Sequence, residues 1–382
     1  MELLLETAGE SHGPRLTAIL CGIPAGTPVS VEAVDARLSA RQRGFGRGAR
    51  QQIEHDRVRF TAGVRDGRAT GNPIALDVDN RDRTYADLPP IHAPRPGHAD
   101  LAGAVNRGIA DARDVVERAS ARETAVRVAA GAVAAGFLEA LGVRVLGHVV
   151  AVGGLDVAGA PGDDLDAARL RRDASDLHAL GGDDAQRAAR DAIAAAGAAG
   201  DTLGGVVEVV ATGVPAGLGG HERPEEKVSA RLAAALMGVQ AVRGVEVGAG
   251  FAAAALRGSQ AHDAIVPGDG GAPRRTGNRA GGIEGGTTTG APVVVRCAMK
   301  PLATLRRPLP SVDLRTGAPV DARVERSDVT AVPALAVVAE AVVALELARA
   351  VRRRFGGAHL DEVREALAAH ARRAAALFRA AD

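Results

Sequence analysis

The sequence has few aromatic residues and few cysteines. Its 382 residues include no tryptophan, one tyrosine, six phenylalanines and two cysteines. Cys21 and Cys297 lie far apart and outside any Cys-x-x-Cys or Cys/His spacing. We therefore expect no metal site and two buried thiols in a reducing compartment, with a disulfide between them as the alternative. The lack of interleaved aromatic residues also argues against an arginine-glycine tract that binds nucleic acid.

The sequence also lacks an excess of charge and a long hydrophobic run. Its 47 Lys and Arg residues nearly equal its 46 Asp and Glu residues, and the formal net charge of +1 argues against broad affinity for nucleic acid or membranes. The N-terminus does not have the pattern of a signal peptide, and no uncharged apolar window is long enough to span a bilayer. We expect a soluble cytoplasmic protein in which any basic site is made by local clustering.

The order of strand-like and helix-like segments predicts an α+β fold. Strand-rich segments are each followed by an alanine-rich helix, first at about residues 2–141 and again at about 203–352, with a polar helical insert at about 160–200. We expect one domain over residues 1–382, built as a pseudo-duplication with helices packed inside, although the two halves share no residue repeat.

An arginine-dense passage runs into an alanine-rich helical pattern near Ser120. Ser120 and Glu123 form the S-x-x-E pattern of a capping box, which predicts a helix from Ser120 to about Leu141. The free N–H groups at such a helix start stabilise a nearby anion, and Arg118 and Arg122 flank the cap. A solvated helix start with ordinary surface arginines is the alternative.

Further glycine-rich segments carry charged and titratable side chains. Residues 41–50 read R-Q-R-G-F-G-R-G-A-R, in which glycines permit close approach of a ligand and guanidinium groups suit phosphate and carboxylate oxygens. This pattern favours a folded anion-binding loop over a flexible solvent loop. His12 and His98 each lie in a glycine-adjacent loop, where a single histidine is more often structural or exposed than catalytic.

Eight motifs, taken together, resemble those of the chorismate synthase family. They follow the family's order over nearly the whole chain, which makes the set far more specific than any one member. The motifs are G-E-S-H-G-P (9–14), R-Q-R-G-F-G-R-G (41–48), R-P-G-H-A-D (95–100), D-A-R-D-V-V-E-R-A-S-A-R-E-T-A (111–125), G-V-Q-A-V-R-G-V-E-V-G (238–248), N-R-A-G-G-I-E-G-G (278–286), M-K-P-L-A-T-L (299–305) and E-R-S-D-V-T-A-V-P-A (325–334).

The resemblance implies an enzyme of the shikimate pathway of aromatic amino-acid biosynthesis. Its reaction is the 1,4-elimination of phosphate from 5-enolpyruvylshikimate 3-phosphate, which gives chorismate and requires reduced FMN without net redox change. The implied fold is a β-α-β sandwich with long central helices between two antiparallel sheets. The implied assembly is a homotetramer, and the apolar helices near 123–141 and 335–352 are expected in the core or between subunits.

The source of reduced FMN is a separate question. Some family members reduce FMN with NADPH, and others depend on an external flavin reductase. This sequence has no separate nucleotide-binding fingerprint such as G-x-G-x-x-G after a strand. We therefore expect the dependent type, with NADPH only as the source of reducing equivalents.

The resemblance also assigns roles to individual residues. His98 is implied to protonate the departing phosphate or the flavin, His12 to keep the reduced flavin in its required protonation state, and Asp328 to assist flavin N5 in taking the substrate proton. The implied substrate-binding residues are Arg41, Arg47, Arg50 and Arg122. The implied FMN-binding residues are Arg118, Ala119, Ser120, Gln240, Ala241, Gly285, Lys300, Pro301, Leu302, Ala303, Thr304 and Arg326. With so few aromatic residues, we expect backbone, methyl and Met or Leu contacts to line the flavin.

The sequence departs from the family's usual pattern at two places, T-T-T-G at 287–290 and D-V-T at 328–330. Neither change alters a charge that the implied reaction needs. A protein of another class, a non-enzymatic binder of phosphorylated metabolites or nucleic acid, would explain the arginines of residues 41–50. It would leave both histidine loops and Asp328 without a function, so the enzyme is the preferred interpretation.

Overall fold

Two antiparallel sheets enclose two long helices in the computed structural model, which describes residues 2–48, 53–156, 165–268, 273–325 and 328–378. The strands are β1 (Leu4–Ala8), β2 (Arg15–Cys21), β3 (Val58–Ala62), β4 (Val64–Arg65), β5 (Arg68–Ala69), β6 (Ile74–Asp79), β7 (Arg144–Val152), β8 (Leu155–Asp156), β9 (Gly205–Thr212), β10 (Val242–Val247), β11 (Ile265–Pro267), β12 (Pro273–Arg275), β13 (Ile283–Glu284), β14 (Thr287–Thr288), β15 (Val293–Met299), β16 (Pro310–Val312) and β17 (Pro319–Asp321). The α-helices are α1 (Val31–Gln42), α2 (Asp100–Arg107), α3 (Arg113–Ala119), α4 (Thr124–Glu139), α5 (Leu165–Ala174), α6 (Asp183–Ala198), α7 (Val228–Met237), α8 (Gly258–Ala261), α9 (Val332–Phe355) and α10 (Leu360–Ala376).

The first sheet is made by the N-terminal part of the chain. Its strand order is β1-β2-β6-β3, and every neighbouring pair is antiparallel. Successive side chains of a strand point to opposite faces, and in β2 the residues Leu16, Ala18 and Leu20 are buried while their neighbours are more exposed. One face of this sheet therefore belongs to the core.

The second sheet is larger and has the order β10-β15-β9-β7-β8, again antiparallel throughout. Alternation is clear in β15, where Val293, Val295, Cys297 and Met299 are buried. By contrast β7 is buried along nearly its whole length, because α5 packs against it on the side opposite the core.

The central layer consists of α4 and α9, which pack against each other. α4 also contacts β2 and β6 of the first sheet, and α9 contacts β7 and β9 of the second. Small residues permit this close approach: a Cβ placed on Gly131 would lie 2.4 Å from Cβ of Ala341, and one on Gly147 would lie 2.1 Å from the Ala336 carbonyl oxygen. Larger side chains at these positions would overpack the helix and sheet contacts. The predicted sandwich of central helices between antiparallel sheets is thus confirmed.

A buried charge cluster connects α9 to three other elements. The Glu340 carboxylate lies 2.5 Å from guanidinium nitrogens of both Arg37 and Arg172 and accepts a 2.9 Å hydrogen bond from the Gly147 N–H. Burial raises the pKa of Glu340, but the charges of Arg37 and Arg172 outweigh this effect and hold it below its usual value. The cluster thus joins α1, α5 and β7 to the central helix.

The predicted helix from Ser120 to Leu141 needs correction. A 3-10 turn occupies Ala121–Glu123, and the α-helix begins at Thr124 and ends at Glu139. The predicted capping box is absent because the Ser120 Oγ accepts from the Arg122 N–H and the Glu123 carboxylate accepts a hydrogen bond from Thr7, which is distant in sequence.

The remaining predictions have mixed outcomes. The apolar helix expected at 335–352 is longer and spans Val332–Phe355. The predicted helical insert contains α5 and α6, while the pseudo-duplication stays a prediction. In the part of the chain that the structure describes, each helix is too short or too polar to cross a membrane.

Candidate functional site

A cleft of about 500 Å³ lies where the N-terminal ends of α4 and α9 come together. Its lining comes from α3, from the 3-10 turn before α4 and from six loops: those between β1 and β2, after α1, before α2, before β10, after β15 and before α9. The predicted site residues that line it are His12, Arg41, Arg47, His98, Ser120, Arg122, Gln240, Leu302, Ala303, Thr304 and Asp328. The fold therefore brings together residues from most of the length of the chain.

His12 is held by a buried carboxylate. Its Nδ1 lies 3.0 Å from both carboxylate oxygens of Glu117, and its backbone N–H donates to Glu117 Oε2 at 2.9 Å. Burial raises the pKa of Glu117. The hydrogen bonds from His12 and the charge of Arg113 outweigh that effect, so the pKa of Glu117 lies below its ordinary value. A carboxylate bound at Nδ1 favours the N–H on that nitrogen, while Nε2 lies 3.9 Å from Asp82 Oδ2.

His98 has the same arrangement with a different acid. Its Nδ1 contacts Asp100 Oδ1, and Asp100 also accepts from Arg95 Nε at 2.9 Å and from the Arg95 backbone N–H at 3.0 Å. Burial raises the pKa of Asp100, but the hydrogen bonds from His98 and Arg95 and the Arg95 charge hold it far below the usual range. Asp100 is thus a carboxylate that orients His98 and favours exchange of the proton at Nε2.

Arg47 and Asp328 form an ion pair within the cleft. Arg47 Nη1 lies 2.8 Å from Asp328 Oδ2, and the Gly48 N–H donates to Asp328 Oδ1 at 2.5 Å. Burial lowers the pKa of Arg47, and the charge of Asp328 opposes this effect. A residue expected to bind substrate and one expected to handle a proton are therefore in direct contact.

Arg41 and Arg122 line the cleft but use most of their donors on neighbouring protein groups. Arg41 Nε donates to Thr124 Oγ1 at 2.9 Å, and its Nη2 donates to the Ala121 carbonyl at 2.9 Å. Arg122 Nη1 donates to both oxygens of Asp56 at 2.7 and 2.8 Å. Burial lowers the pKa of Arg41 to about 10. Both arginines therefore shape the turn before α4.

Each of two cleft arginines has one buried nitrogen without a hydrogen-bond acceptor among the described residues, Arg47 Nε and Arg122 Nη2, and Glu54 Oε2 lies 3.8 Å from the latter. A buried N–H group without an acceptor is unfavourable, so a ligand oxygen that reached either atom would gain a strong charge-assisted hydrogen bond. Both atoms have almost no solvent-accessible surface, so a ligand oxygen would reach them only after neighbouring side chains moved.

Arg118 donates its hydrogen bonds to the end of β1. Its Nη2 donates to the Thr7 carbonyl at 2.9 Å and to Thr7 Oγ1 at 2.8 Å, and Thr7 in turn donates to Glu123. These bonds hold the end of β1, and with it the loop that carries His12. Arg118 lies outside the lining of the described cleft, together with Ala119, Ala241, Gly285, Lys300 and Pro301. Arg50 and Arg326 lie outside the described residues.

The segment around Gln240 offers further polar groups to the cleft. Gln240 Oε1 is buried and has no hydrogen-bond partner among the described residues, while Ala241 has a φ of 67°, which L-residues seldom adopt. The Ala241 carbonyl accepts from the Lys300 N–H at 3.0 Å. Burial and the charge of Arg243 lower the pKa of Lys300. This connection links the two segments that were predicted to hold FMN.

Several cleft residues were not predicted from the sequence. Glu325 is surrounded by arginines: Arg323 Nε donates to it at 2.8 Å, and guanidinium nitrogens of Arg95 and Arg113 each lie 3.6 Å away. Two of these residues, Arg95 and Arg113, belong to motifs quoted above. Glu117 lies four residues after Arg113, which is the spacing of an ion pair on a helix. That spacing and the nearness of Asp100 to His98 were the available signals.

Comparisons with known proteins establish the family. The model of the family described as chorismate synthase matches residues 3–351. The chain belongs to the chorismate synthase family. The chorismate synthase of Bacillus cytotoxicus is 49% identical over 381 residues, covering 95% of this chain and 97% of that protein. That of Nocardia farcinica is 49% identical over 396 residues, covering 98% and 96%.

A solved structure agrees with this assignment. A crystal structure of chorismate synthase matches the fold with a TM-score of 0.81 and 36% sequence identity, covering 98% of this chain and 99% of the other. The resemblance inferred from the eight motifs is thus confirmed, as is the fold expected for a chorismate synthase. The chain is an enzyme of the lyase class, and the non-enzymatic binder is rejected.

Proposed function

We propose that the protein converts 5-enolpyruvylshikimate 3-phosphate to chorismate by 1,4-elimination of phosphate, with reduced FMN, in the shikimate pathway of aromatic amino-acid biosynthesis. The observation that carries the proposal is that one cleft holds two carboxylate-oriented histidines and the Arg47–Asp328 ion pair. The family membership supplies the reaction class, and the cleft supplies groups suited to it.

The substrate is an anion with a phosphate and two carboxylates, so the cleft must supply cations and N–H donors. Arg47 Nε and Arg122 Nη2 are the donors without acceptors among the described residues, and both are attached to buried guanidinium groups. We assign them to substrate oxygens, with Arg41 fixing the turn that presents Arg122. Arg50 is proposed as a further substrate contact on the resemblance alone.

Proton transfer is assigned to Nε2 of the two histidines and to Asp328. Because Glu117 and Asp100 accept at Nδ1, each histidine is oriented as in other acid-base sites in which a third group fixes the base. His98 then donates a proton to the departing phosphate or at the flavin, and His12 maintains the flavin's protonation state. Asp328 assists removal of the substrate proton and is held in place by Arg47 and the Gly48 N–H.

The residues near Gln240 and Lys300 fit a flavin. Gln240 Oε1 is a buried acceptor without a donor among the described residues, and the space next to Gly97 borders Lys300 Nζ and the Ala303 methyl group. Reduced FMN, when bound, would supply an electron-rich ring that favours loss of phosphate. The remaining residues implied by the resemblance, including Ser120, Gly285, Thr304 and Arg326, are proposed to complete the FMN site.

Anaerobic assay of the purified protein tests the proposal. With the phosphorylated substrate and chemically reduced FMN, we expect release of inorganic phosphate and the absorbance of chorismate. His98→Ala should lower turnover by about 10²- to 10⁴-fold, the contribution of a positioned general acid. His221→Ala, at an exposed position outside the cleft, is the matched control. Absence of both products with folded wild-type protein would show that the proposed reaction is wrong.

Two further properties are proposed with the reaction. Reduced FMN is expected from a separate flavin reductase, so mixing enzyme, FMN and NADPH should not bleach the flavin rapidly, and fast bleaching would contradict this expectation. A cytoplasmic homotetramer is proposed from the family, because closed symmetric assembly is the common way to cover exposed apolar surface. Sedimentation at micromolar concentration should give the tetramer mass, and a stable monomer would contradict it.

A further inference from the structure

An unusual backbone segment, residues 178–180, lies close to the loop after α1 (residues 43–48), here called the arginine loop. His178, Ala179 and Leu180 have φ values of 55°, 105° and 72°, and none of the three is a glycine. Residues with side chains seldom adopt such values, and they persist only where surrounding contacts fix them. Here β7 supplies those contacts, because the Val149 N–H donates to the His178 carbonyl at 3.1 Å and the Leu180 N–H donates to the Val149 carbonyl at 3.0 Å.

The same segment contacts the arginine loop directly. The Phe45 N–H donates to the Asp176 carbonyl at 2.7 Å. A Cβ on Gly46 would lie 2.8 Å from the Ile193 side chain of α6, which shows how closely that helix packs against the loop. The predicted helical insert, which contains α5 and α6, therefore supports the loop that carries Arg47.

His178 contacts the start of α9, which follows the segment that carries Asp328. It is 3% exposed, and its Nδ1 lies 2.7 Å from the carbonyl oxygen of Pro333 in the first turn of α9. A carbonyl oxygen only accepts, so Nδ1 carries the proton. Pro333 packs against Gly44, and the chain immediately before it leads back to Asp328.

The loop and the segment before α9 are also bonded to each other. The Val329 N–H donates to the Gly46 carbonyl at 2.8 Å, and a Cβ on Gly46 would lie 3.0 Å from the Thr330 methyl group. Arg47 and Asp328 thus lie on two segments that are joined to one another and to residues 176–178. Displacing either segment would change the distance between the guanidinium group and the carboxylate.

We propose that His178 is a positioning residue for the Arg47–Asp328 pair. It holds the start of α9 through Pro333, while Asp176 on the same turn holds Phe45, so one turn fixes both sides of the ion pair. The effect on turnover rests on the proposed roles of Arg47 and Asp328. The effect on backbone order does not, and the two are measured separately.

Two amide variants provide the test. In His178→Asn the amide nitrogen takes the place of Nδ1 and reaches the Pro333 carbonyl, and asparagine tolerates a φ near 55°. In His178→Gln the amide nitrogen takes the place of Nε2 and misses that carbonyl. Both variants remain polar and similar in size, so a difference between them reports the hydrogen bond.

Hydrogen-deuterium exchange gives the first measurement. His178→Gln should raise exchange of the Phe45 and Val329 amides by roughly 2- to 12-fold, the factor for one lost hydrogen bond, while His178→Asn stays near wild type. His148→Gln is the matched control, because His148 is also buried but bonds to Glu208 on β9, away from the cleft. Equal exchange in both His178 variants would overturn the proposal.

Kinetics give the second measurement. Turnover of phosphate release should fall in His178→Gln and recover in His178→Asn, with FMN affinity unchanged in both, whereas His148→Gln should lower stability without lowering turnover. A fall of the same size in His148→Gln, or wild-type turnover in His178→Gln, would overturn the positioning role. If wild-type protein releases no phosphate, the proposed function fails, and the exchange comparison alone decides about His178.

Discussion

The Arg47–Asp328 pair predicts a strong energetic coupling between two residues of the cleft. The guanidinium nitrogen and the carboxylate oxygen are 2.8 Å apart, and the two side chains are 8% and 17% exposed. At this distance and an effective dielectric constant of about 20, the gross Coulomb attraction is about 6 kcal/mol. Desolvation of the buried guanidinium group opposes it, as the lowered pKa of Arg47 indicates. Directly coupled pairs retain about 0.5–3 kcal/mol of net interaction.

A double-mutant cycle measures this coupling. Arg47→Ala removes one donor to Asp328 as well as a substrate contact, so it should reduce turnover in addition to substrate affinity. Asp328→Asn should reduce turnover by about 10²- to 10⁴-fold. The double variant should be less impaired than the product of the two losses, by roughly 2- to 150-fold in kcat/KM, which corresponds to the interaction free energy.

The control is an exposed ion pair of the same chemical type. Arg223 and Glu225 are 63% and 56% exposed and lie outside the cleft, so their cycle should show little coupling in stability and no change in kcat/KM. Additive losses for Arg47→Ala and Asp328→Asn would refute the reasoning. They would mean that the two residues act independently during turnover despite their contact.

Three other perturbations test the electrostatics of the fold and the site. Glu340→Gln should cost about 3–5 kcal/mol of unfolding free energy, because it leaves the buried Arg172 and the part-buried Arg37 without the Glu340 carboxylate, whereas Glu225→Gln at an exposed position should change stability little. Urea titration followed by circular dichroism measures both variants, since the chain has no tryptophan. Burial lowers the pKa of His178 from 6.5 to about 4, so the unfolded state takes up a proton at a higher pH than the folded state does. The free energy of unfolding should therefore fall by up to about 3 kcal/mol as the pH drops from 6.5 to 4, and His178→Asn should not show this loss. Asp100→Asn offers an amide donor to His98 Nδ1 and should lower single-turnover phosphate release by about 10²-fold or more, and a wild-type rate would contradict the orienting role.

Local signals in the sequence are sufficient for those elements whose ends are decided by neighbouring residues. Ser30 caps α1 as its type predicts, since its Oγ accepts from the Ala33 N–H at 3.0 Å. The strands on either side of the loop with His12 and the apolar helix α9 also follow directly from hydrophobic pattern. In each case the deciding contacts involve neighbours in sequence or the general burial of apolar side chains.

Ser120 shows where local reasoning fails. The S-x-x-E pattern favours a capping box, but Glu123 instead accepts from Thr7, 116 residues away, and Arg41 binds the Ala121 carbonyl from 80 residues away. Buried charged groups need partners, and here distant partners satisfy them better than the local cap does. The outcome is a 3-10 turn rather than the first turn of an α-helix.

The same difficulty applies to the charges of the site. Asp328, which pairs with Arg47, was named from the sequence, but the acids that bind Arg122, His12 and His98 were not. Asp56 binds Arg122 from 66 residues away and Glu117 binds His12 from 105 residues away, distances at which one sequence gives no signal. Arg41, Arg47 and Arg122 were therefore predictable as cleft residues, while the number of donors left for a ligand was not.

The internal acids explain how a cleft for a polyanion can exist in a stable fold. Unpaired buried guanidinium groups would destabilise the protein, and pairing Arg47 with Asp328 and Arg122 with Asp56 removes most of that cost. The pairing leaves only particular N–H groups, Arg47 Nε and Arg122 Nη2, without acceptors among the described residues. The positive ends of α4 and α9 lie at the same cleft and add to its attraction for anions. Specificity should then come from a polyanion that competes with the internal carboxylates at both guanidinium groups, because an anion that meets only one of them gains little.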